Sequence, residues 1–97
     1  MNKYERLKNE LDTVGHGKMK CFGNSMMPII KSGSLLTFQK QEKYEIGDIV
    51  FCKVLGRVID AHLIIKIDSN KGYLIANNHK HENGWTHTVY GKVIGVE

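Results

Sequence analysis

The pattern of apolar and polar positions divides the chain into a short helical lead and a long β-forming remainder. Over residues 2–12, Tyr4, Leu7 and Leu11 fall on one side at helical spacing with charged residues elsewhere, and Gly15 and Gly17 end the pattern. This predicts a short amphipathic helix inside a lead-in spanning residues 1–16. From residue 18 onward the runs "KMKCF", "SLLTFQK", "DIVFCKVL", "RVIDAHLIIKI", "GYLIANN" and "THTVYGKVIGV" are of strand length and rich in Val, Ile, Leu, Tyr and Phe. Gly, Asn, Asp and Ser clusters separate them. Leu55-Gly56-Arg57 has the composition of a hairpin turn, and "DSNKG" at 68–72 that of a second. "NNHKHENGW", by contrast, reads as a solvated polar loop. Short strands at this spacing predict a mainly β fold, a small antiparallel sandwich or coiled barrel with a short N-terminal helix, forming one domain over 1–97.

Composition narrows the class. A chain of 97 residues buries only about 60–65% of its unfolded surface, so the core must be compact. The 41% hydrophobic and 25% charged content is that of a globular protein. No run approaches the roughly 18 apolar residues needed to span a bilayer, and "MNKYERLKNELDTVGHG" has no apolar leader segment. A cytoplasmic protein without a membrane span is therefore expected. The net charge is +4, but the lysines are scattered from Lys3 to Lys92 without forming a block, which argues against a nucleic-acid partner. Cys21 and Cys52, with no secretory signal, are expected to be reduced thiols acting as small buried hydrophobes.

The candidate chemistry lies in "CFGNSMMPIIKSG", residues 21–33, which contains the only proline of the chain. A serine hydroxyl becomes a nucleophile only when a base takes its proton, and its attack is productive only if N–H groups stabilise the oxyanion. In "GNSMMP", Gly23 permits an unusual backbone angle and Pro28 stiffens the exit, so Gly23, Asn24 and Ser25 can form a loop that presents Ser25 and its own N–H to a cleft. By local physics alone, most such serines are simply turn residues.

The order of the motifs adds to this. "GNSMMP" satisfies G-x-S-M-x-P and resembles the nucleophile box of the signal peptidase I and LexA-like serine peptidases. "KSGSLL", "YEIGDIVFCK", "IDAHLIIKI" and "LIANNHK…VYGKVIGV" are similar to the segments that follow in that superfamily, and the likeness covers roughly residues 18–97. It implies the catalytic-domain fold of that superfamily. It also implies Ser25 as nucleophile and His62 as base, as in the Ser-His variant of endoplasmic-reticulum-type signal peptidases. Histidine suits the role because its ordinary pKa, near 6.5, lets it take a proton at neutral pH. Where the superfamily carries a G-D-N-N turn, this chain has Ala76-Asn77-Asn78, so Asn77 stands in place of an orienting acid. Asp60, Asp68 or Glu82 are other sources of a carboxylate, and a simple Ser-His dyad is the remaining option.

Gly33-Ser34 replaces one Gly-Asp pair of the pattern, while Gly47-Asp48 keeps the other, with Asp48 tying the start of a strand. Met26 is expected to pack beneath the nucleophile loop. Met27, Pro28, Asp60 and Asn77 complete the residues expected around the cleft. The resemblance further implies an extended peptide or protein substrate, held by β-augmentation between residues 19–24 and the strand around Ile59–Ile64, with small residues before the cleaved bond. His79, His81 and His87 are close in sequence, but with no cysteine nearby and no fourth committed ligand, no metal or other cofactor is expected.

Two functions follow. The first is a serine endopeptidase without a membrane anchor that cleaves a peptide or protein in trans. Self-cleavage is disfavoured because the 24 residues before Ser25 hold no Ala-Gly or Cys-Gly bond. The second is a peptidase-fold module, of the sort phages and mobile elements encode, that binds an extended partner or forms a homodimer through open sheet edges.

Overall fold

The computed structural model describes residues 2–97. It opens with helix α1 (Lys3–Thr13), followed by strands β1 (His16–Cys21), β2 (Ser34–Gln39), β3 (Ile49–Val54), β4 (Arg57–Asp68), β5 (Gly72–Ala76), β6 (Glu82–Thr86) and β7 (Val89–Val96). All strands join one antiparallel sheet in the order β1-β2-β7-β3-β4-β5-β6. The mainly β architecture with a short N-terminal helix is as the sequence predicts, but it has seven strands rather than six. The added one is β6, built from the segment read as a solvated loop. Its residues satisfy their backbone by pairing with β5, and Thr86 is buried.

Helix α1 forms where predicted. The Asn2 side chain accepts the Glu5 N–H at 2.9 Å, which caps its first turn. Leu7 and Leu11 are buried against the sheet. The helix lies so close to β1 that a Cβ on Gly17 would stand 2.8 Å from Leu7 Cδ1. A side chain at position 17 would therefore press on Leu7 and Glu10 of α1.

Strand β3 is buried on both faces, with Val50, Phe51 and Cys52 all fully inaccessible. A strand with one solvent face would alternate; this one does not because the curled sheet packs two cores against it. Phe51 joins Leu7, Leu11, Met26, Ile30, Leu36 and Phe38 in the core under α1, and Val50, Cys52 and Val54 join Tyr44, Ile64 and Ile75 in the other. The β3–β4 hairpin turns on Leu55 and Gly56 at φ 50° and 79°. Positive values at both central residues match the right-handed twist of the flanking strands. At the second predicted turn, Asp68 Oδ1 accepts the Asn70 and Lys71 N–H groups. Among the described residues, no helix is long and apolar enough to cross a membrane.

Candidate active site

Ser25 lies in the turn between β1 and β2, and His62 lies near the middle of the long strand β4. The sheet brings them together across 37 residues, with Ser25 Oγ 3.0 Å from His62 Nε2. The other ring nitrogen, Nδ1, is 2.7 Å from Asn83 Oδ1. An amide oxygen only accepts, so this contact places the proton on Nδ1 and leaves the Nε2 lone pair facing the serine hydroxyl. That tautomer is the one that can take the Ser25 proton.

The residue that anchors the histidine is Asn83, not Asn77. Asn83 sits where the β5–β6 register slips, between the Ile75–Gly84 and Ala76–Glu82 pairs. A bulge there turns its side chain out of the ladder and toward His62. Asn77 Oδ1 instead accepts the N–H groups of His79 and His81, closing the turn that follows β5. Asp68 holds its own turn, and Glu82 is exposed on β6. None of these carboxylates is within hydrogen-bond distance of the imidazole.

The turn after β5 also grips the Ser25 loop. Asn78 N–H donates to Ser25 O at 2.9 Å, Asn78 Nδ2 to Met27 O at 3.0 Å, and His79 Nε2 lies 2.9 Å from Asn24 O. Because C=O and N–H point oppositely across a trans peptide, holding Asn24 O toward His79 turns the Ser25 N–H away from that turn. The Ser25 N–H has no partner among the described residues. Gly23, at φ 111°, spends its own N–H on Ser32 Oγ at 2.9 Å. Met26 is buried beneath the loop, while Pro28 is exposed and follows Met27 through a cis peptide.

Burial sets the electrostatics. His62 is held below the ordinary histidine range, chiefly because its half-buried ring resists a charge; the Asn83 bond and the Asp60 charge work the other way, and His81 adds to the lowering. The His62 ring is thus neutral at neutral pH. Cys21, which lines the same cavity as Ser25, is pushed up to about 12 by burial and by the Asp60 charge, so its thiol stays protonated. Burial alone pushes Cys52 up to about 12.

Ser25 and His62 open onto a cavity of about 300 Å³ whose other walls include Tyr4, Phe22, Ile30 and residues 58–61. Residues 57–62 of β4 pair with β3 on one side, and β5 joins β4 only from Leu63 onward. The remaining edge of β4 therefore faces the cavity. Asn77 lies outside it, on a second hollow with Leu63, Ile65 and Lys80. The ring nitrogens of His79 and His87 bond two different backbone carbonyls, those of Asn24 and Asn70.

A family model described as Peptidase S24-like matches residues 4–95. The chain belongs to the Peptidase S24-like family. No curated protein matches it. The match takes in α1 and the seven strands of the described residues except the first residue of α1 and the last of β7, so this S24-like chain has the peptidase fold from its lead-in to its closing strand.

Sequence reasoning missed Asn83, Asn78, His79 and Tyr4 as parts of the site. A signal for β6 was present in Trp85 and Thr86, an apolar and a β-branched residue, but the polar run before them masked it. Tyr4 carried only the mark of a helix face.

Proposed function

We propose that the protein is a serine endopeptidase that cleaves an extended peptide or protein in trans, with Ser25 as nucleophile and His62 as base. The observation that carries this is the 3.0 Å contact between Ser25 Oγ and His62 Nε2, with Nδ1 fixed at 2.7 Å on Asn83. A substrate strand lies along the free edge of β4, its backbone pairing there as an added strand. Ser25 Oγ attacks the carbonyl carbon while its proton passes to His62 Nε2, and the Ser25 N–H meets the oxyanion. His62 then gives that proton to the leaving amine as the C–N bond breaks, forming the acyl-enzyme. Water, deprotonated by the same nitrogen, attacks the ester and releases the acid and free Ser25. Asn83 is a positioning residue: it fixes the tautomer without lending the imidazolium a negative charge.

That neutral partner also supports a second reading, a peptidase-fold module that holds an extended partner without cutting it. Labelling with a fluorophosphonate separates the two. The enzyme reading predicts that wild type is labelled while Ser25→Ala and His62→Ala are not. If wild type labels no better than Ser25→Ala while peptide binding persists, the binding module is what remains.

A further inference from the structure

We propose that Asp60 makes this site selective for substrates with a lysine or arginine side chain on the N-terminal side of the cleaved bond. The proposal rests on Ser25 and His62 as the reacting pair and goes beyond it by naming the chemistry of the substrate.

Asp60 lies two residues before His62 on β4 and lines the same cavity. The β3–β4 register slips there, between the Val50–His62 and Cys52–Ile59 pairs, so Asp60 and Ala61 together face one residue of β3. Such a bulge re-aims a side chain, and this one opens into the cleft. The Asp60 carboxylate faces the Tyr4 hydroxyl across the cavity lining, and its charge is felt by both Tyr4 and Cys21. No ion pair involves Asp60 among the described residues. Among the described residues, Asp60 is the only carboxylate lining the cavity.

The cations nearby are engaged or peripheral. Lys3 Nζ donates to Lys20 O at 2.9 Å and stands 5.1 Å from the Phe22 ring centre, while Lys31 lines the cavity from an exposed position. Phe22, Ile30 and Val58 and the ring face of Tyr4 give the otherwise largely polar lining an apolar stretch. They suit the methylene stem of a lysine or arginine whose charged end reaches Asp60. In an extended substrate, alternate side chains point the same way about 6.8 Å apart, so the first or third residue before the cleaved bond supplies it. The small residues implied by the superfamily likeness would leave the carboxylate facing an unfilled cavity.

The test uses the whole protein and matched peptides that differ only by lysine, alanine or glutamate at the first or third position before the bond. Lysine is expected to raise kcat/KM by about 10-fold or more at one of these positions. The ratio is expected to fall toward one in Asp60→Asn and to turn in favour of glutamate in Asp60→Lys. Because each ratio is internal to its variant, a general loss of activity does not imitate this result. Equal or better cleavage of the alanine peptides, a wild-type preference for glutamate, or an unchanged ratio in Asp60→Asn would overturn the proposal. Binding of the same peptides to Ser25→Ala, read by fluorescence anisotropy, decides it independently of chemistry. Failure of fluorophosphonate labelling removes the peptidase reading, whereas equal binding of lysine and alanine peptides removes the role of Asp60.

Discussion

Replacing Asn83 by aspartate would put a negative charge where an amide oxygen now sits 2.7 Å from His62 Nδ1, with almost no change in shape. Unit charges about 4 Å apart attract by about 4 kcal/mol at an effective dielectric of 20. Both side chains are only half-buried, and solvent screening reduces the usable part to roughly 1–2 kcal/mol. That stabilisation acts on the imidazolium, which exists in the transition state and not in the resting enzyme. It converts to about a 5- to 30-fold faster acylation of Ser25.

The same charge raises the pKa of His62. Since only the neutral ring is a base, the acid limb of the rate moves to higher pH, by about one unit for each 1.36 kcal/mol. In the wild type, burial holds His62 below its ordinary range, so its limb lies on the acidic side of a normal histidine. The assay is the rate of fluorophosphonate labelling across the histidine titration range for wild type, Asn83→Asp and Asn83→Leu. Asn83→Leu removes the acceptor and is expected to be slower than wild type. If all three share one rate and one acid limb, Asn83 does not hold the base, and the geometry assigned to the site is wrong.

Other consequences can be measured separately. His79→Ala releases Asn24 O and Asn78→Ala releases Met27 O; each is expected to slow labelling by about 10-fold through loss of one hydrogen bond, with only a small change in melting temperature. Gly72 has φ 89°, and a Cβ there would meet the Thr86 carbonyl. Gly72→Ala should therefore cost about 1–3 kcal/mol in a denaturant titration and, by shifting β6 and Asn83, lower labelling as well. Phe51→Ala empties the centre of the α1 core, where the ring meets Tyr4, Phe38 and Tyr90, and should cost about 3–5 kcal/mol by thermal or urea unfolding. Because the folded pKa of His62 lies below its unfolded value, the unfolded chain binds more protons as pH falls through about 6.5. Stability should drop over that window, and the drop should be smaller in His62→Gln when urea midpoints are compared.

Much of the site is legible from local pattern. Leu7 and Leu11 mark the buried face of α1, Leu55-Gly56 and Asp68 mark two turns, and Ser25 stands out by its loop. Asp48 accepts the Glu45 N–H before β3, as its position before an apolar run indicates. The third member of the site is not legible in that way. Asn83 is one polar residue in a polar run, and nothing within several positions marks it as different from Asn77 or Asn78. What distinguishes it is an irregular step in the pairing of β5 with β6.

By itself, then, the sequence determined the helix, six of the seven strands among the described residues and two of the turns, while its motif order singled out Ser25 and His62 through a likeness. The elements and turns depend on side-chain period and backbone preference, properties of residues and near neighbours, whereas the serine and histidine were marked only by the order of motifs along the whole chain. The tertiary structure decided that Asn83 rather than Asn77 steadies His62, that Asn78 and His79 hold the serine loop, and that Asp60 opens into the cleft. These depend on strand register, where one extra residue in a ladder redirects a side chain, and register is set by how the whole sheet packs on its two cores.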